Sequence, residues 1–194
     1  VRSETKITKK IIESAPKLRV VGRAGVGIDN IDVNEATKKG VIVINTPDGN
    51  TISACEHTMA MMLAMARNIP QADHSLREHL WDRKKFTGIE LRGKTIGILG
   101  FGKIGTEIAV RCKAFGMNVL AYDPYVTQER AAHYNVTLCD KETIYKEADI
   151  ITVHMPLTDE TRGLIGKEQF AMMKPTARVI NVARGGIIDE MALY

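Results

Sequence analysis

The sequence is short of several features that would place a chain in a specialised class. No apolar run approaches the ~20 residues that a membrane-spanning helix needs, so we expect no membrane partner. Cysteine is scarce, and its three positions are too widely spaced for a disulfide framework or for the usual ligand pairs of a zinc site: Cys55, Cys112 and Cys139. This usage favours reduced thiols, no bound metal and a cytoplasmic location.

Charge of one sign is not concentrated anywhere in the sequence. The 27 Lys and Arg residues are interspersed with 23 Asp and Glu, and the net charge is only +4. This pattern predicts no nucleic-acid partner. The chain begins at Val1 without a signal peptide and stops at Tyr194, where a helix begins, so we expect a fragment at both ends.

Strand and helix patterns alternate along almost the whole chain. Before the turn at 47–49, the patterns predict helices at 5–14 and 32–39 and strands at 18–21 and 41–44. After it come a long helix at 52–66 and a polar helix with an arm at 68–88. Five further strands are predicted at 95–99, 119–122, 136–138, 150–153 and 178–182, with helices at 103–115, 127–134, 141–147 and 167–173.

This alternation is typical of an α/β fold with parallel strands. We predict a Rossmann doubly wound sheet over 48–194, preceded over 1–47 by part of a smaller, flavodoxin-like α/β domain. The methionines of the helix at 52–66 fit either an adaptable binding surface or a core and subunit interface, and the helical spacing favours the second.

A glycine-rich run, Gly100-Phe101-Gly102-Lys103-Ile104-Gly105, joins an apolar strand to an amphipathic helix. In such a GxGxxG motif the first glycine permits the tight turn, the second lets a pyrophosphate approach the backbone, and the third lets the helix pack against the strand. A tight turn without a ligand is the alternative. The flanking strand and helix favour a dinucleotide site, with phosphates at the helix N-terminus.

Asp123 ends the next predicted strand, 18 positions after Gly105. A carboxylate there can accept hydrogen bonds from the adenine ribose and would repel a 2′-phosphate, which favours NAD over NADP. Without the glycines, the same residue would be an ordinary turn-forming Asp before a proline.

Two other strand ends carry candidate functional residues. His154, followed by Met155 and Pro156, is either a general acid or a packing and hydrogen-bonding residue, and the second is the more usual role at a strand end. Arg184 is placed for bidentate contact with a carboxylate, although a solvated arginine is an equal alternative on position alone.

Together these motifs resemble the D-isomer-specific 2-hydroxyacid dehydrogenases. The resemblance covers essentially the whole chain, and the runs that carry it are 1–3 (VRS), 21–30 (VGRAGVGIDN), 45–50 (NTPDGN), 81–86 (WDRKKF), 100–105 (GFGKIG), 154–158 (HMPLT) and 183–190 (ARGGIIDE). The family fold implies a substrate domain over 1–47, an NAD domain over 48–194 and an active site between them.

The resemblance also implies a set of site residues. Those that would hold NAD are Val26, Gly100, Gly102, Lys103, Ile104, Gly105, Asp123, Met155, Pro156, Val182, Ala183 and Arg184. Those that would line the anionic end of the substrate are Arg2, Ser3, Gly25, Gly27 and Asn50. Arg184 would be catalytic, because it would polarise the substrate's carboxylate and C2 oxygen.

The implied reaction is the NAD-linked oxidation of 3-phospho-D-glycerate to 3-phosphohydroxypyruvate in serine biosynthesis, because Arg2 and Arg184 suit a doubly anionic ligand. The family's catalytic histidine and its glutamate partner would lie beyond Tyr194. Another D-2-hydroxy acid, such as glyoxylate, hydroxypyruvate or D-lactate, is the alternative substrate.

A protein of a different class, an NAD-sensing corepressor that binds peptide motifs, is the second hypothesis. The sequence shows no obvious exposed apolar groove that would support it. We also expect a homodimer, or a higher homo-oligomer, through 52–66 and 68–88.

Overall fold

Parallel strand pairing organises both parts of the chain. The computed structural model describes residues 1–194, and the chain divides into two units, Val1–Thr51 and Ile52–Tyr194. In the first unit, β1 (Val20–Arg23) pairs in parallel with β2 (Ile42–Asn45), and the helices α1 (Lys9–Glu13) and α2 (Val33–Lys38) precede the two strands. Its core consists of Ile12, Val21, Ile31, Ala36 and Val41.

The second unit is built on a five-stranded parallel sheet. Its strands are β3 (Thr95–Leu99), β4 (Asn118–Tyr122), β5 (Thr137–Leu138), β6 (Ile150–Val153) and β7 (Arg178–Asn181), in the spatial order β5-β4-β3-β6-β7. Its helices are α3 (Thr51–Ala66), α4 (Ile69–Arg77), α5 (Lys103–Ala114), α6 (Gln128–His133), α7 (Lys141–Glu147), α8 (Lys167–Met172) and α9 (Glu190–Leu193), with a 3₁₀ turn at Arg83–Phe86. The strand order reverses between β3 and β6, so the carboxyl ends of these two neighbouring strands form the topological switch point.

Both faces of this sheet are covered. Ile96 and Ile98 of β3 pack into a cluster with residues of α3 and α5, whereas Leu99 packs into a second cluster with residues of α7. A strand that is buried on both faces needs a nearly continuous apolar run, and β3 and β6 have one. The doubly wound α/β fold is therefore confirmed.

The methionines of α3 divide between core and surface. Met59 and Met62 are buried in the cluster with α5, as the core interpretation expects, whereas Met61 is exposed. No helix of the structure combines the length and the apolar character that a bilayer crossing requires.

Some boundaries differ from the sequence prediction. The first strand begins two residues later than the predicted 18–21, because pairing with β2 sets its register from Val20, and the amide of Leu18 instead closes a turn on the carbonyl of Ala15. The first helix begins at Lys9 rather than Thr5, since Ile7 forms a parallel bridge with Ile31. Local periodicity does not encode either long-range contact.

Candidate functional site

The turn after β3 places the three motif glycines at the carboxyl edge of the sheet. Gly100 has a φ of +99°, and a Cβ there would lie 2.6 Å from the carbonyl oxygen of His154. A Cβ on Gly105 would collide with the carbonyl oxygen of Gly100. Gly102 differs, since no atom lies within 4 Å of a Cβ built there. The fold requires two of the glycines, and the space above the third is open.

Helix α5 begins at this turn with its amide end towards the open space. Its N-cap, Gly102, supplies no side-chain hydrogen bond to the first turn. First-turn amides have no partner within a helix, and the helix dipole adds positive potential at this end. The ring of Phe101 is fully buried and meets Tyr134 edge to face at 6.1 Å, which anchors the loop. The arrangement suits an anionic group.

The carboxylate of Asp123 connects the end of β4 to the glycine turn. Its Oδ2 accepts a hydrogen bond from the amide of Phe101 at 2.9 Å, and its Oδ1 accepts one from the amide of Tyr125 at 2.9 Å. The bond from Tyr125 is the one expected of an ordinary turn-forming Asp. The bond from Phe101 orients the carboxylate beside the glycine motif. A carboxylate has about four acceptor positions, so acceptor capacity remains for a ligand.

His154 lies at the carboxyl end of β6, next to Gly100. Its Nε2 lies 2.8 Å from Oγ1 of the buried Thr152, and its amide donates to the carbonyl of Leu99 at 2.7 Å. Burial lowers the pKa of His154 to about 4, so the ring is neutral at neutral pH. This favours the packing and hydrogen-bonding role over that of a general acid, which works best with a pKa near the operating pH.

The loop after β7 is held by the side chain of Asn181. Its Oδ1 accepts from the amide of Ala183 at 3.0 Å, and its Nδ2 donates to the carbonyl of Arg184 at 2.8 Å. Arg184 also donates from Nη1 to the carbonyl of Ala183 at 2.8 Å and is half-buried, as is Val182. A cavity of about 530 Å³ is lined by this loop, by Ile188 and by residues of α9. The local bonds set the loop path on which Arg184 lies.

In the first unit, three of the residues expected at the anionic end of the substrate, Arg2, Ser3 and Gly25, contact Arg23 or Asn30. Ser3 accepts a hydrogen bond at Oγ from Nη2 of Arg23 at 2.9 Å. The carbonyl of Arg2 accepts one from Nδ2 of Asn30 at 2.9 Å. A Cβ on Gly25 would collide with Nη1 of Arg23. The Arg23 side chain therefore joins Ser3 to the loop at 25–27.

The other predicted residues of this unit are Val26, Gly27 and Asn50. Gly27 is a half-buried member of the same loop, and the carbonyl of Val26 accepts a hydrogen bond from Nδ2 of Asn45 at 2.7 Å. Asn50 lies in the exposed turn that precedes α3. Val26, although predicted as a cofactor contact, thus belongs to the first unit, whereas the glycine motif belongs to the second.

Comparison with known proteins identifies the family. Residues 59–194 match the family described as D-isomer specific 2-hydroxyacid dehydrogenase, NAD binding domain. The chain belongs to this dehydrogenase family. It is 59% identical over 194 residues to the D-3-phosphoglycerate dehydrogenase of Archaeoglobus fulgidus and 55% identical over 193 residues to that of Bacillus subtilis. Each match covers 100% of this chain but 37% of the relative, so the chain spans just over a third of their length.

A solved dehydrogenase structure is also similar. The D-lactate dehydrogenase from Aquifex aeolicus, complexed with NAD and lactic acid, superposes with a TM-score of 0.94 at 32% identity, over 100% of this chain and 58% of that one. The family that residues 59–194 match is an NAD-binding domain, so NAD is the cofactor of the domain. The open space at Gly102 and the bonded Asp123 fit it, because a pyrophosphate needs a bare backbone and a ribose needs an acceptor.

Several residues that support this dehydrogenase site were not found by sequence reasoning. Thr161 donates from Oγ1 to the carbonyl of Pro156 at 2.7 Å and accepts from the amide of Thr158, which holds the segment after His154. Asn181 does the same for the loop that carries Arg184. A Thr-x-x-Thr spacing and an Asn two residues before a turn are weak local signals, and only the hydrogen bonds distinguish them from ordinary polar residues.

The structure contains an exposed apolar groove that the sequence did not reveal. A groove of about 320 Å³ runs along α4 and the 3₁₀ turn. Its apolar lining includes Ile69, Leu76, Leu80 and Trp81, which are 52%, 55%, 54% and 74% exposed. The groove was missed because its members come from a helix, a loop and a turn, and no single periodic stripe contains them.

Proposed function

We propose that this chain belongs to an enzyme that oxidises 3-phospho-D-glycerate to 3-phosphohydroxypyruvate with NAD, at the start of serine biosynthesis. The observation that carries the proposal is the 59% identity, over all 194 residues, to a protein named D-3-phosphoglycerate dehydrogenase. The three free thiols are typical of a reducing compartment, and we place the reaction in the cytoplasm as part of this proposal.

Apart from Val26, which lies in the first unit, the residues proposed to hold NAD follow the carboxyl ends of β3, β4, β6 and β7. The start of α5 would bind the pyrophosphate through backbone amides, and Asp123 would accept from the ribose. When bound, NAD supplies a hydride acceptor for the carbon that carries the 2-hydroxyl. Met155, Pro156 and the loop 182–184 would position it, and the bonds of Thr161 and Asn181 keep these segments in place.

The proposed substrate carries two anionic groups, and two arginines are assigned to them. Arg184 would bind the carboxylate and polarise the C2 oxygen, because a guanidinium donates two parallel hydrogen bonds to a planar anion. Arg2 would bind the phosphate together with Ser3, Gly25, Gly27 and Asn50. His154 is not proposed as the proton acceptor, since its pKa of about 4 makes it a weak base.

A direct test compares a phosphorylated ligand with one that lacks the phosphate. Arg2→Ala should raise the dissociation constant for 3-phosphoglycerate about tenfold or more, and that for D-glycerate much less, because only the first presents a phosphate to the lost cation. Titration calorimetry in the presence of NAD measures both. Equal weakening of the two ligands would favour the alternative of a non-phosphorylated 2-hydroxy acid.

We also propose that the protein forms a homodimer through α3 and the segment 68–88. The groove exposes a tryptophan, the residue type most enriched among interface hot spots. Met61 and Ile52 add exposed apolar surface on α3, at 42% and 46%. Apolar surface of this kind is typical of a contact with another protein, and a second copy is the partner that the family resemblance implies.

A further inference from the structure

Asn181 is the last residue of β7, and its side chain folds back over the loop that follows. Its Oδ1 accepts a hydrogen bond from the amide of Ala183 at 3.0 Å, and its Nδ2 donates one to the carbonyl of Arg184 at 2.8 Å. One half-buried side chain therefore fixes two successive points of the backbone.

The two bonds together require an asparagine. The bond from the amide two residues on is a turn bond that Asp and Ser can also form. The bond to the carbonyl of Arg184 requires a donor at the same time, which a carboxylate lacks. A serine hydroxyl lies one bond nearer the backbone, and glutamine is one methylene longer. The acceptor and the donor of Asn181 can therefore be removed separately by substitution.

The far side of this loop is held by backbone pairing. Gly186 has a φ of +82°, and its carbonyl accepts from the amide of Gly163 at 2.8 Å. The carbonyl of Ile187 accepts from the amide of Ile165 at 3.2 Å. The residues 182–185 thus lie between two fixed points, of which Asn181 is the one made by a side chain.

The guanidinium of Arg184 is bonded to this same loop. Its Nη1 donates to the carbonyl of Ala183 at 2.8 Å, and the residue lines the cavity of about 530 Å³. At the adjacent Gly185 no atom lies within 4 Å of an added Cβ, so the loop borders open space beside the arginine. The position of the guanidinium therefore depends on the backbone path that Asn181 sets.

We infer that Asn181 is a positioning residue with two separable roles. Its acceptor shapes the part of the loop proposed to contact NAD, and its donor fixes the carbonyl of Arg184 and so aims the guanidinium at the carboxylate of the substrate. This inference rests on the proposed function. The ligand class for the second role is a 2-hydroxy carboxylate, with or without a phosphate.

The test measures binding to the same purified chain by titration calorimetry, with NAD alone and then with 3-phosphoglycerate or D-glycerate at saturating NAD. Asn181→Ser keeps an acceptor for the amide of Ala183 but loses the donor to Arg184. It should raise the dissociation constants of both acids about tenfold and by similar factors, because both carry the carboxylate. The affinity for NAD should change little.

Two further variants complete the comparison. Asn181→Ala removes both bonds and should weaken NAD binding as well. The matched control is Asn118→Ala, at the exposed first position of β4, which should change none of the three constants. Should the serine variant fail to fold, Asn181→Asp replaces it, because Asp keeps the acceptor in the same geometry and lacks the donor.

A double-mutant cycle separates positioning from general support of the loop. In an Arg184→Ala background, Asn181→Ser should add little to the loss of D-glycerate affinity, since the guanidinium that it positions is gone. A loop that merely unravels would weaken NAD and both acids together, and its effect would add to that of Arg184→Ala.

Each outcome decides between the two proposals. Unchanged affinity for the acids in Asn181→Ser, an equal loss of NAD affinity, or additivity with Arg184→Ala overturns this inference and leaves the proposed function intact. If the unsubstituted chain binds NAD but neither acid, the proposed function fails, and this inference fails with it.

Discussion

Gly102 differs from the other two motif glycines because no protein atom occupies the position of its missing Cβ. We predict that Gly102→Ala leaves the unfolding midpoint nearly unchanged but raises the dissociation constant for NAD about tenfold or more, since the methyl group would occupy the space of a pyrophosphate. Thermal unfolding and calorimetric titration of the same sample measure both quantities.

The matched control is Gly105→Ala, where the added Cβ would collide with the carbonyl oxygen of Gly100. This variant should lose stability itself, by about 1–3 kcal/mol, because the helix must move away from the strand. An intact NAD affinity in Gly102→Ala would contradict the assignment of the open space to the cofactor.

His154 gives the protein a specific pH dependence. Burial lowers its pKa to about 4 in the folded state, whereas an unfolded histidine titrates near about 6.5. Between these values the unfolded chain binds the extra proton, so the free energy of unfolding falls as the pH falls, by up to about 1.4 kcal/mol per pH unit. We predict that His154→Gln makes this fall shallower between about pH 5 and 6.5.

Urea denaturation at several pH values across this window measures the slope. His57→Gln, at an exposed position of α3, is the control for the loss of a histidine as such. Parallel curves for His154→Gln and the unsubstituted protein would show that the buried ring does not contribute this slope.

Helix α7 illustrates what a short element requires. The carboxylate of Asp140, its N-cap, accepts from the amide of Thr143 at 2.7 Å, and this backbone hydrogen bond lowers the pKa of Asp140. The helix buries Ile144 and Tyr145 in the cluster beneath β3 and β6. The cap therefore stabilises a helix of only 7 residues on which one face of the sheet depends.

We predict that Asp140→Ala lowers the free energy of unfolding by about 1 kcal/mol, whereas Asp140→Asn, which keeps an acceptor, lowers it by a few tenths. The midpoints of urea unfolding report the difference at neutral pH. Equal losses in the two variants would mean that the carboxylate acts through its charge alone.

Element types were largely predictable from the sequence, but element ends were less so. The buried strands β3 and β6 stand out because their apolar runs are bounded by glycine, Asp and His. By contrast, the first strand lies two residues beyond its predicted start, because pairing with β2 rather than local composition sets where it begins. Where a strand or helix ends depends on the residues that it contacts, and those residues are often distant in the sequence.

For the whole molecule, the groove along α4 predicts self-association. Trp81→Lys should convert a dimer to a monomer in sedimentation velocity, because a charge would have to be buried against apolar side chains, and it should leave NAD affinity unchanged. The matched control is Ile11→Lys on α1, which is 44% exposed and lies in the other unit. A protein that is monomeric without substitution at high concentration would exclude this interface.

The sequence alone determined the fold class, the positions of the glycine turn and the choice of a dinucleotide site, because these depend on periodicity and on spacing within a few tens of residues. Only the tertiary structure decided that the carboxylate of Asp123 accepts from the amide of Phe101, 22 positions away, and that Arg23 donates to the hydroxyl of Ser3, 20 positions away. It also decided that six apolar residues of the segment 68–88 share one groove. Such contacts follow from strand order and register, which bring distant residues together in ways that no local pattern records.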